Sequence, residues 1–174
     1  MLYFRSMKET ILAIFKELNE RIEAENIARD KSGGLKIRPV EVRILGQITL
    51  LANDVAAKIL PLQRTNDLDA VIRNTHAFVT TILTKEILPS HGLHLDPDSE
   101  YVWIPPGSRF DLFHDFKNVR VLLLDPESAL VSKAVKAKEK NKFLVVDAIA
   151  SGEFPGLVGR IQENGGDLEY FVGD

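Results

Sequence analysis

The stretch Arg64-Thr-Asn-Asp-Leu-Asp-Ala-Val-Ile72 decides the fold prediction, because it joins a polar turn to the pattern of a half-buried strand. If this segment is extended, Asp67 and Asp69 point to one face and the apolar residues that alternate with them point to a core. Neighbouring carboxylates repel unless a proton or a cation lies between them. Since Mg²⁺ is commonly held by one or two carboxylates plus phosphates, the pair predicts a magnesium site. The alternative is a polar turn whose Asn66-Asp67 dipeptide only opens the strand.

A second motif lies about twenty residues upstream, where the strand pattern Val40-Glu-Val-Arg-Ile-Leu-Gly46 leads into an apolar segment that begins near Gln47. The apolar segment is too long for a strand and predicts a buried helix. Backbone N–H groups at the start of a helix can receive a phosphate, so Gly46 and Gln47 are candidate phosphate-binding residues. The alternative is a tight strand-to-helix turn that needs a small residue.

Hydrophobic periodicity and turn residues predict the remaining elements. Helices are expected over Met7 to Ala28, Ile48 to Ile59, Thr75 (as N-cap) to Ile87, from Asp125 onward, Leu144 to Ile149 and Leu157 to Ile161. Strands are expected over Val40 to Ile44, Asp67 to Ile72, Tyr101 to Ile104, Arg109 to Phe113, Val119 to Leu124 and, at an edge, Leu168 to Val172. This order predicts an α+β fold with a mixed sheet flanked by helices. We expect a core over residues 7–125 and a helical extension over residues 126–174 that packs on it.

Composition excludes several functional classes. The chain has 174 residues, a net charge of −3 and no cysteine, which excludes disulfides and thiolate catalysis and gives no general attraction to nucleic acid. It has no apolar run long enough to span a membrane, and its N-terminus lacks a hydrophobic signal core. We therefore expect a cytoplasmic protein. Residues 1–6 resemble the remnant of a protease-cleavable tag and are left out of the functional argument.

Two further charged residues are candidates for the same site. Asp111 lies in the middle of an aromatic strand, where a carboxylate is costly unless it is exposed, paired or bound to a cation. A strand beside Asp67–Ile72 would bring Asp111 near Asp67 and Asp69; the alternative is an exposed strand face paired with Arg109. Lys133 begins a run of lysines on one predicted helical face, which either faces a polyphosphate or is simply solvated.

Taken together, four segments resemble the nucleotidyltransferase-fold superfamily, and in particular small nucleotidyltransferase-like proteins related to toxin–antitoxin and abortive-infection systems. The segments are Arg43-Ile-Leu-Gly-Gln-Ile-Thr-Leu50, Arg64-Thr-Asn-Asp-Leu-Asp69, Phe110-Asp-Leu112 and Asp125-Pro-Glu-Ser-Ala-Leu-Val-Ser-Lys133. The resemblance covers about residues 40–149. It implies a nucleotidyltransferase-like fold that binds a nucleoside triphosphate.

The resemblance also assigns roles to individual residues. Asp67 and Asp69 would hold Mg²⁺ on the nucleotide, and Asp111 would complete the metal site and help to deprotonate the acceptor hydroxyl. Gly46 would allow close approach of the phosphates and Lys133 would pair with one of them. Gln47 and, from the second segment, Arg64 are further candidate nucleotide-binding residues.

Two functions follow as alternatives. The first is a Mg²⁺-dependent nucleotidyltransferase that moves a nucleoside monophosphate onto a hydroxyl group. The second is a catalytically degenerate member that binds a nucleotide or a protein partner, as an antitoxin-like module does. Gln47 motivates the second, because it stands where the family usually has Ser or Gly.

Overall fold

The structure is a computed structural model that describes residues 5–173. Its helices are α1 Met7–Lys31, α2 Gly46–Leu51, α3 Ala56–Ile59, α4 Ala77–Ile82, α5 Leu88–Ser90, α6 Pro126–Lys136, α7 Lys142–Ser151, α8 Leu157–Glu163 and α9 Glu169–Val172, with a π-helical turn at Leu83–Ile87 and a 3₁₀ turn at Ser99–Tyr101. Its strands are β1 Val40–Ile44, β2 Asp67–Leu68, β3 Ala70–Arg73, β4 His94–Leu95, β5 Phe110–Asp115 and β6 Val119–Leu124.

A four-stranded mixed sheet with the order β3-β1-β6-β5 forms the centre of the molecule. The two central strands, β1 and β6, are parallel, and each pairs with an antiparallel edge strand. Four of the six residues of β6 are buried, as its nearly continuous apolar sequence predicts for a strand covered on both faces. The predicted α+β architecture, a mixed sheet flanked by helices, is therefore confirmed.

Helix α1 covers one face of the sheet. Ser6 and Glu9 form a capping box in which each side chain accepts a hydrogen bond from the other residue's backbone N–H. Five apolar residues spaced along α1 are fully buried against the strands and the α4 segment: Ile11, Ile14, Phe15, Leu18 and Ile22. Of the predicted tag remnant, residues 1–4 lie outside the described residues, whereas Ser6 caps this helix.

The C-terminal helices pack on the core through a second apolar cluster. Leu45, Leu50 and Leu124 contribute from the β1–α2 region and the end of β6. Helices α6 to α9 contribute Leu130, Val145, Leu157, Ile161 and Phe171 among others. Through this cluster, α6 packs against α2 and α7 packs against α3.

Five of the predicted elements are wrong in detail. The strand expected over Asp67–Ile72 is two strands, β2 and β3, which belong to different sheets. Local hydrogen bonds explain two of the other four. The helix expected over residues 48–59 is interrupted, because the Asn53 side chain accepts from the backbone N–H groups of Val55 and Ala56 and starts a new helix there. The N-cap of α4 is His76 rather than Thr75, since His76 Nδ1 accepts from Phe78 N at 3.1 Å.

The other two errors concern predicted strands. The segment expected as a strand over residues 101–104 begins with the last residue of a 3₁₀ turn, Tyr101, and pairs with no strand among the described residues. The expected edge strand over residues 168–172 is helix α9, whose Phe171 is buried in the second apolar cluster. In both cases a short apolar pattern is satisfied by packing onto helices rather than onto a sheet edge. Over residues 5–173, no helix combines the length and apolar character that crossing a membrane requires.

Candidate functional site

Asp69 lies at a break between two strands. Residues Asp67 and Leu68 pair in parallel with β4, whereas β3 begins at Ala70 and belongs to the main sheet. The backbone at the break is fixed on both sides, because Leu45 N donates to Asp69 O at 2.8 Å and Ala70 N donates to Ser99 Oγ at 3.0 Å. The side chain of Asp69 is half-buried, and Asp67 two residues earlier is exposed.

Gly46 lies directly against the Asp69 carboxylate. Its φ is +63°, in the left-handed region that side chains rarely adopt, and a Cβ built on it would overlap Asp69 Oδ2. The glycine is therefore required both by the backbone at the start of α2 and by the close approach of Asp69. Since α2 has only six residues, this contact, rather than the helix N-terminus, defines the place.

Substitution of Gly46 by alanine should destabilise the protein by more than the cost of the backbone conformation, which is about 1–3 kcal/mol. The added Cβ would force the Asp69 carboxylate out of its position. Gly107→Ala is the matched control, because Gly107 also has a positive φ, +77°, and nothing lies within 4 Å of its Cβ position. Urea denaturation of both variants measures the difference. Equal losses in stability would show that Asp69 does not press on Gly46.

Asp96 is the second carboxylate of the site, and the sequence did not identify it. Asp96 raises the pKa of Asp69 both by its charge and by a side-chain hydrogen bond. Its position is fixed because Asp96 N donates to Leu68 O at 3.0 Å and Asp96 Oδ1 accepts from Asp98 N at 2.8 Å. The signal that was available is the Asp-Pro-Asp-Ser sequence of residues 96–99, which is typical of an Asx turn that holds its first carboxylate in place.

The environment of Asp69 disfavours its ionised form. Burial and the neighbouring Asp96 carboxylate raise the pKa of Asp69 above its ordinary value, and Lys133 opposes them. Asp67 raises the pKa of Asp69 further, so three aspartates act on one another at this point. Such a group of carboxylates is relieved by a proton or by a cation.

Lys133 on α6 is the positive group that faces these carboxylates. It is half-buried, and burial together with the nearby Lys140 lowers its pKa, whereas Asp69 opposes that shift. A partly dehydrated ammonium group next to a partly dehydrated carboxylate interacts more strongly than the same pair on the surface. The lysine face predicted from the sequence is therefore divided, since Lys133 turns inward whereas Lys136 and Lys140 are exposed.

A cavity of about 420 Å³ opens beside Lys133. Its lining includes Gln47, Arg64, Lys133, Lys140, Asn141 and Phe143. A smaller cavity of about 200 Å³ shares Lys133, Lys140 and Asn141 with it and reaches Gly46. Volume alone does not select this place, because a cavity near the end of α1 has a similar volume, about 450 Å³. The aspartates do not line the cavities at Lys133 directly, and Lys133 is the residue that connects the two groups. The cavities at Lys133 are distinguished by the charges around them.

Gln47 does not block the approach to Gly46. Its side-chain Nε2 donates to the backbone oxygen of Gln63 at 3.1 Å, which ties the start of α2 to the segment before β2. The amide is therefore engaged with the protein's own backbone. Arg64 follows Gln63 directly and lines the same cavity.

Asp111 is not part of this group, and the expectation that its strand neighbours the Asp67–Ile72 segment is wrong. Strands β5 and β3 are the two edges of the sheet, so three strand spacings separate them. The register runs across the sheet from Asp111 to Leu123, Ile44 and Ala70. At about 4.8 Å per spacing the separation is roughly 14 Å. The side chain of Asp111 is 61% exposed and lies 3.9 Å from Arg109, which is the alternative arrangement that the sequence left open.

The fit of these residues to Mg²⁺ follows from their number and kind. Within residues 5–173, no three His, Asp or Glu side chains are arranged as a ready metal-binding group. Asp69 and Asp96 provide two hard oxygen ligands that repel each other without a proton or cation between them. Mg²⁺ is usually held in this way, by one or two carboxylates with water and phosphate completing its shell. The pair therefore fits a magnesium ion that arrives with a phosphate ligand and does not fit a dedicated protein cage.

Comparisons of the chain with protein-family models, with curated proteins and with solved structures give no significant match.

Proposed function

We propose that the Asp69 cleft, by which we mean Asp69, Asp96, Lys133 and the adjoining cavities, binds a nucleoside triphosphate together with Mg²⁺. We propose further that the protein is a Mg²⁺-dependent nucleotidyltransferase. The observation that carries the proposal is the half-buried Asp69, which lies against Gly46, beside Asp96 and opposite Lys133. A triphosphate with its metal would neutralise both sets of charges. The metal cation would lie between the carboxylates, and the phosphate anions would pair with the lysines. The adjoining cavity of about 420 Å³ is in the size range of small-molecule sites.

Each residue of the cleft has a role in this proposal. Asp69 and Asp96 would hold the magnesium ion, which when bound neutralises the charge on the phosphates. Lys133 and Lys140 would pair with phosphate oxygens. Gly46 leaves room beside Asp69 because it has no side chain.

The transfer reaction forms a bond between an acceptor hydroxyl oxygen and the α-phosphorus of the nucleotide. The bond between the α-phosphorus and the bridging oxygen breaks, and diphosphate leaves with that pair of electrons. The proton of the hydroxyl passes to a carboxylate of the site. Asp67 is the candidate, because it is the most exposed of the three aspartates and is therefore accessible to an acceptor.

A second function, nucleotide binding without transfer, is favoured by the position of Asp111. The family resemblance assigns the third metal-site carboxylate to Asp111, which lies at the opposite edge of the sheet. A degenerate member would bind Mg²⁺-nucleotide but release no diphosphate with any hydroxyl acceptor. It would instead co-purify with a protein partner, as an antitoxin-like module does.

Thermal denaturation with each of the four nucleoside triphosphates tests the proposed binding. A ligand at about 100 times its dissociation constant adds about 2.7 kcal/mol of stability, which corresponds to roughly 5–10 °C for a chain of this size. We expect such a shift with Mg²⁺ and its loss with a chelator. Lys133→Met should reduce it, whereas Lys58→Met, on the exposed side of α3, should not. The absence of a shift with all four nucleotides, or a shift of equal size without Mg²⁺, would contradict the proposal.

A further inference from the structure

Aromatic rings contact three of the C-terminal lysines. The Lys136 ammonium lies 5.0 Å from the centre of the Trp103 ring, and Lys138 and Lys142 lie 4.9 Å and 4.5 Å from the centre of the Tyr170 ring. Lys138 also forms an ion pair with Asp167 at 2.7 Å. In such cation–π contacts the ring face attracts the ammonium group. Lys133 and Lys140 instead line the larger cavity.

Phe143 lines the same cavity and is 80% exposed. It occupies the second position of α7, and the helix is anchored by Leu144, Val145 and Ala148, which are buried. Phe143 is thus not needed to hold α7 in place. In the part of the chain that the structure describes, no ring or cation lies against Phe143, in contrast to Trp103 and Tyr170.

We propose that Phe143 stacks on the base of the bound nucleotide, an inference that rests on the proposed nucleotide binding and specifies how the base is held. The Phe143 ring can stack on the base, and the ammonium groups of Lys133 and Lys140 can pair with the phosphates. Lys133 connects this cavity with the carboxylates, since it lines the cavity and interacts with Asp69. One ligand can therefore reach both.

The polar side chains of the cavity indicate that the site binds the base without discriminating among the four bases. Asn141 Nδ2 donates to Ala137 O at 2.8 Å and Gln47 Nε2 donates to Gln63 O, so one N–H of each amide is engaged with backbone. Thr65 Oγ1 accepts from Asp67 N at 3.1 Å. Stacking on an aromatic ring tolerates every base because all bases have a π face. The site is therefore inferred to bind the four nucleoside triphosphates with similar affinities.

The test compares nucleotides with a ligand that lacks the base. Dissociation constants are measured by calorimetry, in Mg²⁺, for ATP, GTP, CTP and UTP and for ribose 5′-triphosphate. In the wild type, ATP should bind roughly 5- to 150-fold more tightly than ribose 5′-triphosphate, the effect of one stacked base. Phe143→Ala should remove this advantage and leave the affinity for ribose 5′-triphosphate unchanged, and Phe143→Tyr should retain it. Because Phe143 is exposed, neither variant should change the melting temperature of the free protein.

Tyr101→Ala is the matched control, since Tyr101 is 84% exposed and lies outside the lining of this cavity. Equal affinities of the wild type for ATP and ribose 5′-triphosphate, or an ATP affinity unchanged by Phe143→Ala, would overturn the stacking and leave the proposed function standing. A strong preference for one base that persists in Phe143→Ala would overturn the inferred tolerance. If neither ATP nor ribose 5′-triphosphate binds, the proposed function and this inference both fail.

Discussion

Asp69→Asn should make the free protein more stable at neutral pH and abolish its Mg²⁺-dependent binding of nucleotide. Burial and Asp96 raise the pKa of Asp69, so the folded protein bears an energetic cost when this carboxyl group ionises. Asparagine has the same shape and no charge, and its amide can donate to Asp96. Removal of an unfavourable charge at a functional site commonly adds about 0.5–2 kcal/mol. The same change removes a metal ligand and with it the site for the triphosphate.

The stability difference between Asp69→Asn and the wild type should depend on pH. Because the pKa of Asp69 is higher in the folded than in the unfolded chain, the folded state binds more protons in the interval above the ordinary aspartate pKa of 3.8. The contribution of Asp69 to stability therefore falls as the pH rises through this interval and stays low above it. The advantage of Asp69→Asn over the wild type should be absent at the acid end and grow as the pH rises. Urea denaturation across this pH range measures it.

Asp111→Asn is the matched control for Asp69→Asn. Asp111 is exposed and three strands away from the site, so its replacement should change stability by less than about 0.5 kcal/mol. It should also leave Mg²⁺-dependent nucleotide binding intact. Loss of binding in Asp111→Asn together with normal binding in Asp69→Asn would reverse the assignment of the site.

The second large effect is expected at Asp125, the buried cap of α6. Asp125 Oδ1 accepts from Ser128 N at 2.9 Å, and Asp125 Oδ2 accepts from Ser128 Oγ at 2.6 Å and from Arg109 N at 2.8 Å. Arg160 lies 3.7 Å from Asp125 Oδ1. Burial disfavours the charge, but the hydrogen bonds from Ser128 and Arg109 outweigh it and lower the pKa of Asp125.

Asp125→Ala should cost about 3–5 kcal/mol, because it leaves the buried Ser128 donors and the Arg109 N–H without their acceptor and removes a carboxylate that faces Arg160. A domain of this kind has about 5–15 kcal/mol of stability in total, so the variant comes close to unfolding. In the wild type, the stabilisation is present above the ordinary aspartate pKa and is lost as the pH falls through the lowered pKa of Asp125. Chemical denaturation at neutral and acid pH measures both effects.

Asp167→Ala is the control for Asp125→Ala. Asp167 also pairs with a basic residue, Lys138, but both side chains are solvent-accessible, so its replacement should change stability far less than that of Asp125. A loss of less than 1 kcal/mol in Asp125→Ala would show that the cap does not hold α6 against β5.

Local sequence patterns predicted the elements that are dominated by one physical effect. The alternation in Val40–Ile44 and the apolar run Val119–Leu124 define β1 and β6, and Asp125 with Pro126 marks the start of α6. The strand prediction for Leu168–Val172 was wrong because a five-residue segment rich in apolar residues fits a strand and a helical turn equally well. Packing decides between the two.

The site could be predicted only where its residues carry a local signal. The paired carboxylates of Asp67-Leu-Asp69 identify Asp69, although it lies between β2 and β3 and not within one strand, and the strand-to-helix turn identifies Gly46. Asp111 was misplaced because the order of strands in a sheet is set by long-range packing, and the sequence alone does not show which strand lies beside β3. Asp96 was missed for the same reason, since the parallel pairing of β2 with β4 is what brings it to Asp69.

The most direct test of the central claim locates the bound nucleotide by NMR. Amide ¹H–¹⁵N spectra are recorded with MgATP and then with trace amounts of Mn²⁺ in place of Mg²⁺, since Mn²⁺ takes similar oxygen ligands and broadens the signals of nearby nuclei. The signals of Gly46, Asp69 and Asp96 should broaden first, and that of Leu112 beside Asp111 should broaden much later. Broadening that begins in β5, or spectra that ATP leaves unchanged, would contradict the assignment of a nucleotide site to the Asp69 cleft.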